Sequence, residues 1–356
     1  MKEINYKISE QNVSLPRVSM HVKVSGPIDG KPLLFVHGNV SSSIFWKHIL
    51  GELDGRFRKV AMDLRGFGHS EKKPIRAELG LKDFSDDIHE LVHKSGLLDT
   101  TEKINLVGWS MGGGIIMQYA IDHPDKVASL ILVSPISPFG FGGTADINGR
   151  PCWPDYAGSG GGIVNPDFLK RLEAKDKSDE SDVSPRRILN TNYFNPPFRV
   201  DSETEDEYVE AMLQTAVGDD FYPGDSVPSP NWPGVAPGTR GLANAFSPKY
   251  FNLNEFATID PKPPVLWIRG SQDKIVSDTS LLDIGFLGKL GIVPGWPGED
   301  VYPPQPMVSQ MRKVLEDYAS AGGKFQEEVF EGCGHSPHIE AKDKFIDLIT
   351  SFLVSL

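Results

Sequence analysis

Gly108-Trp109-Ser110-Met111-Gly112 is the stretch on which the reading of this chain turns. A G-x-S-x-G pentapeptide arises by chance in a Gly-rich chain, so its flanks carry the weight. The apolar run Ile104-Asn105-Leu106-Val107 leads into it, and Gly113-Gly114-Ile115-Ile116 opens a helical stretch behind it. A strand, a serine and a helix in that order describe a tight, strained turn that lifts the serine Oγ above a sheet edge. Gly108 and Gly112 remove the Cβ atoms that would collide where strand and helix backbones converge. The helix start behind Ser110 offers N–H groups and a positive dipole end to negative charge. The competing reading is a plain Ser-Gly turn without chemistry.

Outward from this turn, short aliphatic runs alternate with helical patterns. Residues 18–24 alternate as a half-exposed strand does. Runs at 32–36, 58–62, 104–108 and 129–133 are β-branched or aliphatic and end in Gly, Asp, Ser or Pro. Phe84, Ile88, Leu91 and Val92 stand at helical spacing within 84–94, and 115–120 continues a helix from Gly114. The same texture returns at 264–268, at 325–330 and in an amphipathic helix over 344–353. Strands alternating with helices predict an α/β protein with a mostly parallel central sheet and helices on both faces. Between the two stretches the pattern breaks. Residues 138–260 are rich in Gly, Pro and aromatics, with a solvated charged tract at 173–187 and one clear helix over 203–217 carrying Tyr208, Met212 and Leu213 on one side. So long an insertion in a compact sheet protein predicts a cap or lid over a core made of 1–137 and 261–356.

Composition limits the function classes. The 356 residues are 39% hydrophobic and 10% aromatic, as a folded protein is, and the net charge is −12. That balance argues against a nucleic-acid partner and against an anionic membrane surface. The two cysteines, Cys152 and Cys333, form neither a disulfide framework nor a zinc spacing. No apolar stretch approaches 18 residues and no apolar h-region follows Met1-Lys2-Glu3-Ile4-Asn5-Tyr6, so neither a membrane span nor a secretory leader is expected, and the expected location is cytoplasmic.

A serine is a poor nucleophile unless a base stands beside it and an acid behind the base. Among nine histidines, His335 stands out, in Glu331-Gly332-Cys333-Gly334-His335-Ser336-Pro337, after a strand run and before the terminal helix. His338 is its rival; with His335 it would suggest a metal pair, but no third ligand sits at a suitable spacing, so no metal is expected.

Four motifs in this order make the chain resemble the α/β-hydrolase superfamily, as a serine esterase or lipase-like member with a large cap insertion. Phe35-Val36-His37-Gly38-Asn39 resembles the family's oxyanion loop, and Asp63-Leu64-Arg65-Gly66-Phe67-Gly68-His69-Ser70 its D-x-R-G-x-G-x-S loop. The nucleophile elbow follows, then an acid and a histidine. The resemblance implies Ser110 as nucleophile, His335 as general base and Asp273, in Arg269-Gly270-Ser271-Gln272-Asp273, as the acid orienting it. Asp278 and Asp283 are weaker alternatives. The long path from Asp273 to His335 departs from the family and points to an inserted loop over 285–306. The oxyanion donors implied are the backbone N–H groups of Met111 and Asn39, with Val40 as a neighbouring candidate. His37 is expected to brace its loop, His69 and Arg65 to be structural, and Asp63 to anchor a turn.

Dehalogenases and epoxide hydrolases of this fold carry Asp in the elbow, so Ser110 predicts acyl chemistry. Trp109 is expected to wall the pocket, and some cap aromatics to face Ser110. The expected substrate is a neutral, mainly apolar ester or lactone of moderate size, unless Arg186, Arg187 or Arg199 recruits an acidic one. The expected activity is carboxylic-ester hydrolysis through an acyl-enzyme, without metal or organic cofactor. The same triad would serve lactone, thioester or carbon–carbon hydrolysis or perhydrolysis, and a ligand-binding receptor on this fold is the alternative of another class. Oligomeric state is not legible.

Overall fold

The structure is a computed structural model that describes residues 6–98 and 103–356. The expectation about a leader rests on residues 1–5, which lie outside those described. Eight strands, β1 (Ser9–Ser14), β2 (Ser19–Ser25), β3 (Lys31–Val36), β4 (Phe57–Met62), β5 (Ile104–Trp109), β6 (Val127–Val133), β7 (Val265–Gly270) and β8 (Phe325–Phe330), form one sheet. Its order is β1-β2-β4-β3-β5-β6-β7-β8. The β1/β2 and β2/β4 pairs are antiparallel; every other pair is parallel.

The central strands are apolar almost throughout because both faces of the sheet are covered. All six residues of β5 are buried, as are the last five of β3. The main helices are α1 (Lys82–Lys94), α2 (Met111–Asp122), α3 (Ser202–Leu213), α4 (Met307–Ser320) and α5 (Lys342–Val354). Phe84, Ile88, Leu91 and Val92 of α1 are buried as their spacing requires. Arg65 is locked by two 2.6 Å bonds to Asp87 of that helix.

Several elements differ from the sequence expectation. β1, Ser-Glu-Gln-Asn-Val-Ser, is mostly exposed; a polar edge strand carries no hydrophobic pattern and discourages edge pairing with another chain. α3 stops at Leu213, and Val217–Gly218 instead pairs with Tyr222–Pro223. α4 is an additional helix, with Met307, Met311, Val314, Leu315 and Tyr318 buried at helical spacing.

The residues between β6 and β7 hold α3, the helix Pro166–Glu173 and several one-turn pieces. Phe194, Tyr208 and Phe251 from this stretch are buried and join the main core. The tract expected to be solvated is only partly so. Arg186 bonds Glu205 at 2.8 Å and Asp206 at 2.5 Å, and Arg199 also reaches Glu205, so both cations serve the insertion's own packing. Among the described residues no helix is long and apolar enough to cross a membrane.

Candidate active site

Ser110 sits between β5 and α2 at φ 57° and ψ −121°. A positive φ is strained for a residue with a Cβ and persists only where surroundings over-determine it. They do so here. The Ser110 N–H donates to the Val133 carbonyl at 2.9 Å, and its carbonyl accepts from Gly113 and Ile136 at 2.9 and 3.0 Å. A Cβ on Gly108 would stand 2.3 Å from the Gly112 carbonyl oxygen, and one on Gly112 2.4 Å from that of Val36. The Ser110 side chain makes no capping bond to α2, which leaves its hydroxyl free.

The loop after β3 is held from within. His37 Nε2 accepts the Leu64 N–H at 3.0 Å, so the proton lies on Nδ1, 2.7 Å from the Gly38 carbonyl. Burial pushes this imidazole down to about 4, and it stays neutral. Asp63 accepts the N–H groups of Ser43 and His69 at 2.8 and 2.9 Å, tying the two loops together. Val40, at φ 46°, donates its N–H to Asn39 Oδ1 at 2.9 Å. The N–H groups of Asn39 and Met111 have no hydrogen-bond partner among the described residues. Of the two loop candidates for an oxyanion donor, Asn39 is therefore the one with a free N–H.

On the loop after β7, Asp273 Oδ1 accepts the N–H groups of Ile275 and Val276 at 2.8 and 3.0 Å. Its Oδ2 lies 2.8 Å from His335 Nδ1 on the loop after β8. Both side chains are buried, at 3% and 2% exposure. A carboxylate pinned on one oxygen and facing an imidazole with the other sets the ring's orientation and tautomer, leaving Nε2 unprotonated. Ser110 Oγ and His335 Nε2 do not form a hydrogen bond in this conformation. Such bonds are commonly long before substrate arrives and tighten in the Michaelis complex.

The rivals are engaged elsewhere. His338 is 1% exposed, packs against Trp46 and Trp109, and has no partner for either nitrogen among the described residues. Burial pushes its pKa well below the ordinary value, making it a neutral core residue. Asp278 accepts from Val308 and Ser309. Asp283 caps the helix Ile284–Lys289 and accepts from Gln305; that helix overlaps the stretch 285–306 expected to be a loop.

Trp109 corrects the expectation of a pocket wall. At 1% exposure it has no face open to a ligand, and its indole N–H donates to the His335 carbonyl at 2.8 Å. It supports the histidine loop from below. Two residues to which the sequence reading gave no individual role also touch these loops; Tyr193 is one of the aromatics of the insertion. Tyr193 Oη lies 2.9 Å from the Asn39 carbonyl, and the Glu340 carboxylate accepts the Gly334 N–H at 2.9 Å. Neither stands in a local motif, so no sequence signal marks them.

Residues 31–179 match a family model described as the alpha/beta hydrolase fold. A pimeloyl-[acyl-carrier protein] methyl ester esterase of Aliivibrio salmonicida (strain LFI1238) is 34% identical over 106 residues, 30% of this chain and 36% of that one. A soluble epoxide hydrolase of Corynebacterium sp. (strain C12) is 28% identical over 204 residues, 57% of this chain and 66% of that one. This chain thus spans less than two thirds of either relative. In three dimensions it is similar to the esterase RhEst1 from Rhodococcus sp. ECU1013, with a TM-score of 0.57, 20% identity, and coverage of 98% and 99% of the two chains.

Proposed function

Because this chain belongs to the α/β-hydrolase superfamily, we propose that it is a cytoplasmic serine hydrolase that cleaves a carboxylic ester of a moderately sized, mainly apolar small molecule through an acyl-enzyme. The observation that carries this reading is the buried 2.8 Å Asp273–His335 pair on loops beside the strained Ser110 elbow. Ser110 Oγ attacks the ester carbonyl while His335 Nε2 takes its proton. Asp273 holds Nδ1–H and stabilises the imidazolium. The N–H groups of Asn39 and Met111 receive the oxyanion, each worth about 3–4 kcal/mol of transition-state stabilisation. His335 then protonates the leaving alcohol, and water, activated by the same imidazole, releases the acid.

No metal or organic cofactor enters these steps. Residues 138–260 would act as the lid over a core of 1–137 and 261–356, contributing the apolar surroundings that small-molecule sites favour. The ester chemistry in the names of the Aliivibrio and Rhodococcus proteins supports acyl transfer. Similarity to an epoxide hydrolase does not redirect the reading, because opening an epoxide through a covalent enzyme ester needs a carboxylate nucleophile and the elbow here holds a hydroxyl.

Labelling the folded protein with a fluorophosphonate, followed by peptide mapping, tests the proposal. The adduct is expected on Ser110 alone, with Ser110→Ala unlabelled and inactive on p-nitrophenyl esters. An adduct elsewhere, or full esterase activity in Ser110→Ala, would remove it. A panel of lactones, thioesters and vinylogous diketones then identifies the bond cleaved.

A further inference from the structure

We infer that residues 191–195 form a positioning strap that ties the insertion to the oxyanion loop, the acid loop and the base loop at once. This rests on the serine-hydrolase reading above. The strap begins in the π-helical turn Leu189–Tyr193. Such turns are rare and tend to occur at functional sites.

Its contacts run to three separate loops. Toward the oxyanion loop, the Tyr193 hydroxyl is shared between the carbonyls of Asn39 and Val40, at 2.9 and 3.1 Å. Toward the acid loop, the Thr191 carbonyl accepts from Lys274 Nζ at 3.1 Å, one residue beyond Asp273. Toward the base loop, Asn195 Nδ2 donates to the Gly332 carbonyl at 2.9 Å. The Asn195 N–H donates to Glu340 at 2.7 Å, and that same carboxylate accepts the N–H groups of Gly334 and Ser336 on either side of His335. Strap and base loop are in backbone contact: a Cβ on Gly334 would stand 2.8 Å from the Asn195 nitrogen.

Tyr193 is the member with the sharpest consequence. Its phenol is buried, which raises its pKa, so it remains a hydrogen-bond donor over the working range of the protein. The Asn39 carbonyl it holds and the Asn39 N–H offered to an oxyanion flank the same Cα, so pinning one restricts rotation of the other. The next residue, Val40, lies at positive φ, a conformation that needs outside support. The Tyr193 ring also packs edge-on against the His335 ring at a centroid distance of 6.2 Å, a contact that a phenylalanine would keep; its hydroxyl acts through Asn39, and Tyr193 is a positioning residue.

The test uses the full chain with p-nitrophenyl butyrate, and counts competent sites by fluorophosphonate titration of Ser110. Tyr193→Phe keeps the ring and its packing and removes only the donor. Its kcat per titrated site is expected to fall about 10- to 100-fold with KM changed less than about threefold, the pattern of a misplaced transition-state contact. Asn195→Ala loses the bond to Gly332 and keeps its backbone bond to Glu340; a fall of about three- to tenfold in kcat is expected. A purely structural role would lower the number of titratable sites and leave kcat per site intact, which overturns the inference, as does a rise in KM at constant kcat. If the wild-type chain does not label at Ser110, the underlying hydrolase reading fails. If it labels and both variants keep kcat per site, the strap alone fails.

Discussion

The sheet rim and the insertion between β6 and β7 hold their polar groups in opposite ways. At the rim each group takes at least one bond from a close neighbour in sequence, beside longer-range ones such as Ser43 to Asp63 and His335 to Asp273. Asp273 is pinned by the N–H groups of Ile275 and Val276, Ser110 by Gly113, and Asp63 by His69. In the insertion the bonds that reach the site are long-range. Tyr193 reaches Asn39 across 154 positions, and Asn195 reaches Gly332 across 137. A local turn is formed as its strand forms and survives changes elsewhere. A contact spanning that much chain exists only once both parts have docked, so it can couple the position of the insertion to that of the loops it reaches. Perturbations at the rim should therefore be large and specific, and those in the insertion smaller and graded.

The largest effect is expected at the acid. Asp273→Asn keeps the shape and removes the charge that fixes the imidazole tautomer, so kcat should fall about 10³- to 10⁴-fold, read by ester turnover per titrated site. Activity within tenfold of wild type would mean that another carboxylate orients His335.

Next is the elbow backbone. Gly112→Ala places a Cβ against the Val36 carbonyl, an oxygen of a central strand that cannot swing away. Loss of about 3 kcal/mol of stability is expected in urea titrations, together with loss of labelling at Ser110. An unchanged midpoint would contradict the close approach on which the turn depends.

The rim also sets a pH dependence. His37 is held neutral by burial, with its pKa lowered from 6.5 to about 4. Between those values the unfolded chain binds a proton that the folded chain does not, so stability rises with pH and is lost on acidification through this window. This single group should account for about 2 kcal/mol between pH 7 and pH 5, and neutral, buried His338 acts in the same direction. A urea series showing no loss down to pH 5 would break the assignment of His37 as a buried neutral brace.

The smallest effect should come from the insertion. Tyr208 stacks on Phe45 at a centroid distance of 4.3 Å, but its buried hydroxyl has no partner among the described residues. Tyr208→Phe removes an unpaired polar group at constant shape, so stability should stay within about 1 kcal/mol or rise. Set beside Tyr193→Phe, which removes a hydroxyl that is bonded, it isolates the part of the insertion's influence that runs through that hydrogen bond. Equal activities in the two variants would mean that the bonded hydroxyl carries none of it.

The same contrast explains what could be read before any coordinates. The runs at 32–36, 58–62 and 264–268 lie within β3, β4 and β7 save for one residue at the start of the last, because strands buried on both faces must be aliphatic. β1 escaped because an exposed edge strand has no such requirement, and α4 because its apolar spacing begins beside Gly- and Pro-rich chain. Trp109 was assigned to the pocket from its place next to Ser110, whereas strand geometry turns its ring beneath the histidine loop. Glu340 and Tyr193 sit in no motif, since the groups they bind are far away in sequence.

By itself the amino-acid sequence determined a parallel α/β sheet, a serine turn with glycines where backbones must touch, and an irregular insertion, since aliphatic runs and missing Cβ atoms are local steric demands written residue by residue. Only the tertiary structure decided that Val40's N–H is consumed by Asn39, that Trp109 props the His335 carbonyl, and that one short segment of the insertion reaches three loops. Those outcomes depend on where distant stretches of chain come to rest against one another, and a hydrogen bond across more than a hundred residues imposes no pattern on the residues in between.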